Sequence, residues 1–176
     1  MSVVENRYNE SLKKLTVVPR EHYQDKGIKW MIERELDSTN QGVLLGDEVG
    51  LGKTLQTIGL ICSNVMDCNL ILVPKSLIDQ WVSEFMKFAP SVKVVKYQNH
   101  KDEFNQEDCD VVVASLSLIN GRNKKNIFGE ENLRTRLHNY KWSRVIIDEA
   151  HAIKNKKSKV HKAVCMIDTN IRWLLS

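Results

Sequence analysis

Proline is scarce in this 176-residue sequence, with three residues, and glycine modest, with eight, which excludes collagen-like and linker-like chains. Four cysteines (Cys62, Cys68, Cys109, Cys165) lie scattered with no C-x-x-C pair, so a disulfide-scaffolded mini-protein is excluded and mostly buried, reduced thiols are expected. No apolar run approaches the ~20 residues a membrane-spanning helix needs, and the opening MSVVENRYNESLKK is too polar for a signal peptide. Internal repeats and low-complexity tracts are missing as well. The net charge is only +4, from 26 basic and 22 acidic residues. What is present, 42% hydrophobic and 27% charged residues, suits one globular domain with a sizeable core.

The modest charge is unevenly spread. Asp102, Glu103, Glu107, Asp108 and Asp110 make one stretch acidic, whereas Lys154, Lys156, Lys157, Lys159 and Lys162 follow one another without an intervening acid. By charge alone such a run is either a solvated face or a nucleic-acid-facing one. His161 and Cys165 stand four apart on an expected helix, a spacing compatible with a metal. No further ligands adjoin them and Lys159 and Lys162 surround them, so a zinc site is disfavoured.

Short apolar runs alternate with amphipathic ones. After a polar arm, Arg20–Leu36 reads as a helix with Tyr23, Gly27, Ile28 and Met31 along one face, and Gly27 inside it suggests a close packing partner. GVLLG at 42–46 is a strand and the helix after it starts near Thr54. LILV at 70–73 is the next strand. It leads into a helix for which Ser76 is the expected N-cap, with Leu77, Trp81 and Phe85 on one face. Strands are expected at 92–97, 110–115 and 145–148, a polar basic loop at 120–126, a helix from Lys159 and a last strand around Trp173–Leu175. The four tryptophans, Trp30, Trp81, Trp142 and Trp173, sit in apolar or helical patterns and are expected in the core rather than as stacking platforms. Strands alternating with crossover helices predict an α/β fold, a parallel sheet with helices on both faces, whose ligands bind beyond the carboxyl ends of the strands.

Two of those strand ends carry chemistry. Asp47-Glu48-Val49-Gly50-Leu51-Gly52-Lys53-Thr54 joins a strand to a helix. Phosphates need small residues so that backbone N–H groups can wrap them, a helix N-terminus, a lysine for the β/γ oxygens and a hydroxyl for Mg²⁺. The segment meets each need, although Asp47 stands where the strict G-x-x-x-x-G-K-[ST] pattern has its first glycine. Alone, it could also be a glycine turn capping a helix. The run Val145-Ile146-Ile147-Asp148-Glu149-Ala150-His151 ends a strand in two acids. Hydrolytic phosphoryl transfer uses one carboxylate to hold Mg²⁺ and one to orient or deprotonate water, roles that fit Asp148 and Glu149.

With GDEVGLGKT and DEAH both in place, the sequence resembles the SWI/SNF-type chromatin-remodelling ATPases of helicase superfamily two, across nearly its whole length. HYQDKGIKWM resembles the family's adenine-side motif, LILVPKSLIDQWVSEF its motif Ia, and DEAHAIKNKKSK its extension beyond DEAH. The resemblance implies a RecA-like (P-loop NTPase) first lobe over residues 19–176 behind an arm at 1–18, ATP and Mg²⁺ as cofactors, Gln24 reading adenine, and Thr54 with Asp148 at the metal. It also implies catalytic roles for Lys53, Asp148 and Glu149, and duplex DNA near Lys75, Ser76, Ser115, Lys154, Asn155 and Lys157. His151 and Ser176 would couple hydrolysis to movement, Ser176 opening a Ser/Thr-Gly-Thr-Pro motif at which the chain stops. The second lobe and its arginine finger are not in this chain. Weak ATP binding with little or no hydrolysis by this chain alone is therefore expected, with no membrane role and an intracellular site, nuclear in a eukaryote, or viral or host-cell in a virus. Other superfamily-two motors (a DExH RNA helicase or restriction-type translocase) and a non-catalytic DNA- or partner-binding module are the alternatives.

Overall fold

The computed structural model describes residues 1–37, 42–48, 50–64, 66–119 and 135–176. The basic loop expected at 120–126 lies outside them. Six parallel strands form the main sheet: β1 (Gly42–Leu45), β2 (Asn69–Val73), β3 (Val94–Tyr97), β4 (Val111–Ser115), β6 (Val145–Ile147) and β8 (Arg172–Leu175), in the order β1-β8-β6-β2-β4-β3. Two short strands, β5 (Lys141–Trp142) and β7 (Asp168–Thr169), pair separately and were not expected, since two residues carry no period.

The order explains which face each connection covers. From β1 to β2 to β3 the chain moves across the sheet in one direction, and right-handed crossovers put the connecting helices on one face. From β3 back through β4 and β6 to β8 the direction reverses, so those connections lie on the opposite face. Accordingly α1 (Val3–Lys14), α2 (Lys26–Leu36), α3 (Lys53–Ser63) and α4 (Ile78–Phe88) share one core with Ile71, Val73, Val111, Val113, Ile146 and Trp173. The other core gathers Leu70, Leu72, Val112, Ala114, Val145 and Ile147 beneath α5 (Lys159–Cys165). The period-two alternation along β2 and β4 divides each strand between the two cores.

The first 18 residues, expected as a polar arm, are instead largely helical and packed. Ser2 caps α1 by accepting from the Glu5 N–H at 3.1 Å, and Tyr8, Ser11 and Leu15 are buried. Thr16 then ties the segment to α4, donating from its backbone N to the Phe88 carbonyl at 2.8 Å. Val4, Tyr8, Leu12 and Leu15 keep a helical period amid polar neighbours, and that stripe outweighs the overall polarity.

Three further elements differ from expectation. The helix expected over 20–36 opens with a single wide turn, Glu21–Asp25, in which the Asp25 N–H reaches the Arg20 carbonyl at 3.1 Å, Gln24 is buried and Tyr23 only half-buried; α2 follows with Ile28, Met31 and Ile32 buried. Ser76 is no N-cap, because Lys75–Leu77 form a 3₁₀ turn closed by the Leu77 N–H on the Pro74 carbonyl (2.9 Å), and α4 starts at Ile78. The buried face of α4 is thereby Ile78, Trp81 and Phe85 rather than one beginning at Leu77. Gly27 behaves as expected: a side chain there would collide with the Gln56 carboxamide on α3. No helix among the described residues is long and apolar enough to cross a membrane.

Candidate nucleotide site

β1 and β6 are parallel with β8 between them, so the loops after all three emerge at one end of the sheet. There a cavity of about 420 Å³ is lined by Gly50, Gly52, Lys53, Thr54, Asp148, Glu149 and Ser176, with Leu77 contributed just before α4 and Gln80 and Glu84 along it. The structure thus brings together both sequence motifs and the last residue of the chain.

Two positions of the loop have backbone angles in the left-handed region. Gly50 and Gly52 adopt φ of 92° and 79°, the left-handed region that glycine enters without steric cost. Lys53 opens α3, and its ammonium donates to the Asp47 carbonyl at 2.7 Å and to the Glu48 carbonyl at 3.4 Å. Asp47 is braced in turn, its Oδ2 accepting from Gln56 Nε2 at 2.9 Å, and Leu51 is half-buried in the loop. Thr54 lines the cavity one residue into the helix. Val49 lies outside the described residues.

Gln24 is buried against this loop. Its Oε1 accepts from the Arg20 backbone N–H at 3.0 Å, its Nε2 points to the Leu51 carbonyl at 3.5 Å, and a side chain on Gly52 would strike it. Gly52 is therefore required twice, by its backbone angle and by this contact.

Asp148 follows β6 directly, its backbone N–H extending the ladder to the Leu72 carbonyl at 2.9 Å. Its Oδ1 accepts from the Glu149 N–H at 2.9 Å, and its Oδ2 from the indole N–H of Trp81 at 2.8 Å. Glu149 takes a left-handed backbone (φ 53°), which costs a non-glycine residue energy and concentrates at functional positions. Its carboxylate lies 3.1 Å from His151 Nδ1, both side chains being exposed to solvent. Ser176 donates its N–H to the Leu45 carbonyl at 3.2 Å, placing the exposed chain end beside the phosphate loop.

The expected DNA-facing residues divide. Lys75 and Ser76 after β2, and Lys154, Asn155 and Lys157 after β6, are exposed, and because β2 and β6 are parallel neighbours they rise from the same end of the sheet as the cavity. Asn155 shapes the second loop, its Oδ1 accepting from the Lys157 N–H at 3.0 Å. Ser115 is different: it is fully buried at the end of β4 with its hydroxyl 2.8 Å from that of Ser117, beneath the surface rather than on it. All four cysteines are free thiols, three of them buried and Cys165 exposed, its Sγ lying 3.5 Å from His161 Nε2.

Motif reading missed the contribution of Trp81. The available signal was general: a buried indole must place its N–H on an acceptor, and apolar spacing says nothing about which.

A parallel sheet with this glycine-lysine-threonine loop after one strand and an acidic pair two strands away defines a P-loop nucleotide-binding lobe of RecA-like architecture. The SNF2-related domain profile matches residues 23–176, and the chain belongs to that family. It is 33% identical over 171 residues to the human SWI/SNF-related matrix-associated actin-dependent regulator of chromatin subfamily A member 1, covering 90% of this chain and 15% of that protein. A probable global transactivator of Orgyia pseudotsugata multicapsid polyhedrosis virus is 31% identical over 158 residues, 88% of this chain and 31% of the viral protein. The fold superimposes on the Sulfolobus solfataricus SWI2/SNF2 ATPase core in complex with dsDNA with a TM-score of 0.77 and 29% identity, over 93% of this chain and 32% of that one.

Proposed function

We propose that the chain is the first lobe of an ATP-dependent, duplex-DNA-stimulated translocase that remodels protein–DNA complexes, in the nucleus of a eukaryotic cell or at the site of a viral genome. The observation that carries the proposal is one cavity lined by Lys53, Thr54, Asp148 and Glu149 at the sheet end from which the exposed basic loops also rise. The residues fit Mg²⁺-nucleotide by their chemistry: two left-handed glycines, a helix N-terminus, the Lys53 cation, the Thr54 hydroxyl and the Asp148 and Glu149 carboxylates.

In this reading the backbone from Val49 to Thr54 wraps the phosphates, with Asp47 and Glu48 leading into the loop, while Lys53 exchanges its two carbonyl partners for phosphate oxygens. Thr54 and Asp148 would hold Mg²⁺, which would supply charge neutralisation of the phosphates when bound. Glu149 orients the attacking water and accepts its proton, with His151 as its neighbour, and Gln24 stands on the adenine side. Lys75, Ser76, Lys154, Asn155 and Lys157 face the sugar–phosphate backbone, whose recognition by lysine is independent of sequence. An arginine finger is worth about 10³–10⁵ in rate in related NTPases. The lobe by itself therefore hydrolyses little ATP.

The test is a two-lobed protein containing this segment, assayed for ATP hydrolysis with duplex DNA, single-stranded DNA and RNA. Duplex DNA is expected to stimulate most, and preference for RNA would favour an RNA helicase instead. Lys53→Ala should abolish nucleotide binding; unchanged ATPase activity would refute the loop assignment.

A further inference from the structure

Each of three fully buried tryptophans places its indole N–H on an acceptor. Trp142 donates to the Leu137 carbonyl at 2.9 Å and Trp173 to the Glu35 carboxylate at 3.0 Å, both within the core. Trp81, on α4, instead donates to Asp148 Oδ2 at 2.8 Å, reaching a carboxylate that lines the cavity. We infer that Trp81 is a positioning residue of the Mg²⁺ site, which fixes the Asp148 carboxylate for the cation. The inference rests on the nucleotide reading above.

Asp148 is held from two sides, by Trp81 on Oδ2 and by the Glu149 N–H on Oδ1. A carboxylate offers about four acceptor directions, so each oxygen keeps a lone pair while rotation about the side chain is blocked. Trp81 is itself immobilised, 2% exposed and packed on Phe85 with ring centroids 6.4 Å apart. The tie also settles a competition inside the cavity. Lys53 is engaged by the Asp47 and Glu48 carbonyls and Asp148 by neutral N–H donors, so the two opposite charges are each kept on uncharged partners and remain available to phosphate and cation respectively. Partners that orient a metal ligand in this way change metal affinity by about 10–100-fold when removed.

The experiment uses this 176-residue chain. Trp81→Phe keeps the ring and removes the donor. Binding of a fluorescent ADP analogue is titrated with Mg²⁺ and, separately, in EDTA. The Mg²⁺ concentration for half-maximal enhancement of binding is expected to rise about 10–100-fold, while affinity in EDTA stays at the unsubstituted value. An unchanged Mg²⁺ requirement, or a parallel loss in EDTA, overturns the inference, the latter because it marks a packing role only. A second measurement needs neither nucleotide nor a core substitution: in ¹⁵N-labelled protein, Asp148→Asn should shift the Trp81 indole N–H resonance and leave that of Trp142 in place. An unmoved Trp81 resonance overturns the inference equally. Lys53→Ala separates the two claims: if it leaves ADP binding intact, the nucleotide reading fails, whereas the Trp81–Asp148 tie is judged by the resonance shift.

Discussion

Arg144 and Glu35 form a fully buried ion pair, and its response to substitution can be worked from the contacts. Their side chains are 0% and 2% exposed. Arg144 Nε and Nη2 donate to the two Glu35 oxygens at 2.6 and 2.5 Å, Trp173 Nε1 donates to Oε1 at 3.0 Å, and Arg144 Nη1 reaches Asn69 Oδ1 at 3.1 Å. Glu35→Gln preserves the shape but leaves the guanidinium without its counter-charge. Breaking a buried pair from one side costs about 3–5 kcal/mol. At about 2–4 °C per kcal/mol for a chain of this size, the melting temperature should fall by roughly 6–20 °C. The double variant Glu35→Leu/Arg144→Met should lose less than Glu35→Gln alone. It leaves no charge behind, and its residual cost is about 1–3 kcal/mol for each neutral group it strands, the Trp173 N–H and Asn69 Oδ1. Urea denaturation followed by circular dichroism, at low and high salt, measures all of this. Salt should change the Glu35→Gln penalty little, because a buried pair is poorly screened. A penalty of about 1 kcal/mol or less, or a double variant worse than the single, would refute the view that an unpaired buried charge dominates.

Other outcomes follow from contacts already described. Gly27→Ala should displace the Gln56 carboxamide, whose Oε1 accepts no hydrogen bond among the described residues, and so break the Gln56–Asp47 bond; an overpacking cost of about 1–3 kcal/mol by thermal melting is expected. Gly50→Ala adds a side chain into open space and should cost only about 1–2 kcal/mol of left-handed strain, whereas Gly52→Ala adds the displacement of Gln24 and should cost more; equal melting temperatures would contradict that ordering. With an aromatic disulfide reagent near pH 8, Cys165 should react first and alone. Burial pushes the Cys62 thiol up to about 11 and raises those of Cys68 and Cys109, so thiolate is scarce at these three until the chain unfolds, and mass spectrometry of the labelled protein would show it.

The main strands were legible because LILV, VVVAS and VII are buried on both faces and read as uninterrupted apolar runs. The motif loops were legible because phosphate binding constrains which residue types can stand in sequence, and Gly27 because a glycine inside a helix asks for a close neighbour. What escaped has physical reasons. The stripe of α1 is diluted by asparagine, lysine and glutamate, so it reads as polar until α2 and α3 are there to cover it. Ser76 carries the right side chain for a cap, but the 3₁₀ turn after Pro74 moves the cap position one residue on, to Leu77. Ser115 occupies a plausible position by resemblance, yet burial at a strand end is set by strands paired from elsewhere in the chain. The Arg144–Glu35 and Trp81–Asp148 contacts join residues 109 and 67 apart, and no local pattern announces either.

The position of β8 has a mechanical consequence. This strand is hydrogen-bonded to β1 on one side and β6 on the other, and it ends at Ser176, whose N–H is fastened to Leu45. Force applied along the chain at Ser176 therefore enters the sheet between the strand that leads to the lysine loop and the strand that leads to the acids. The two sides of the cavity are thereby mounted on one shared strand, as jaws are on a common spindle.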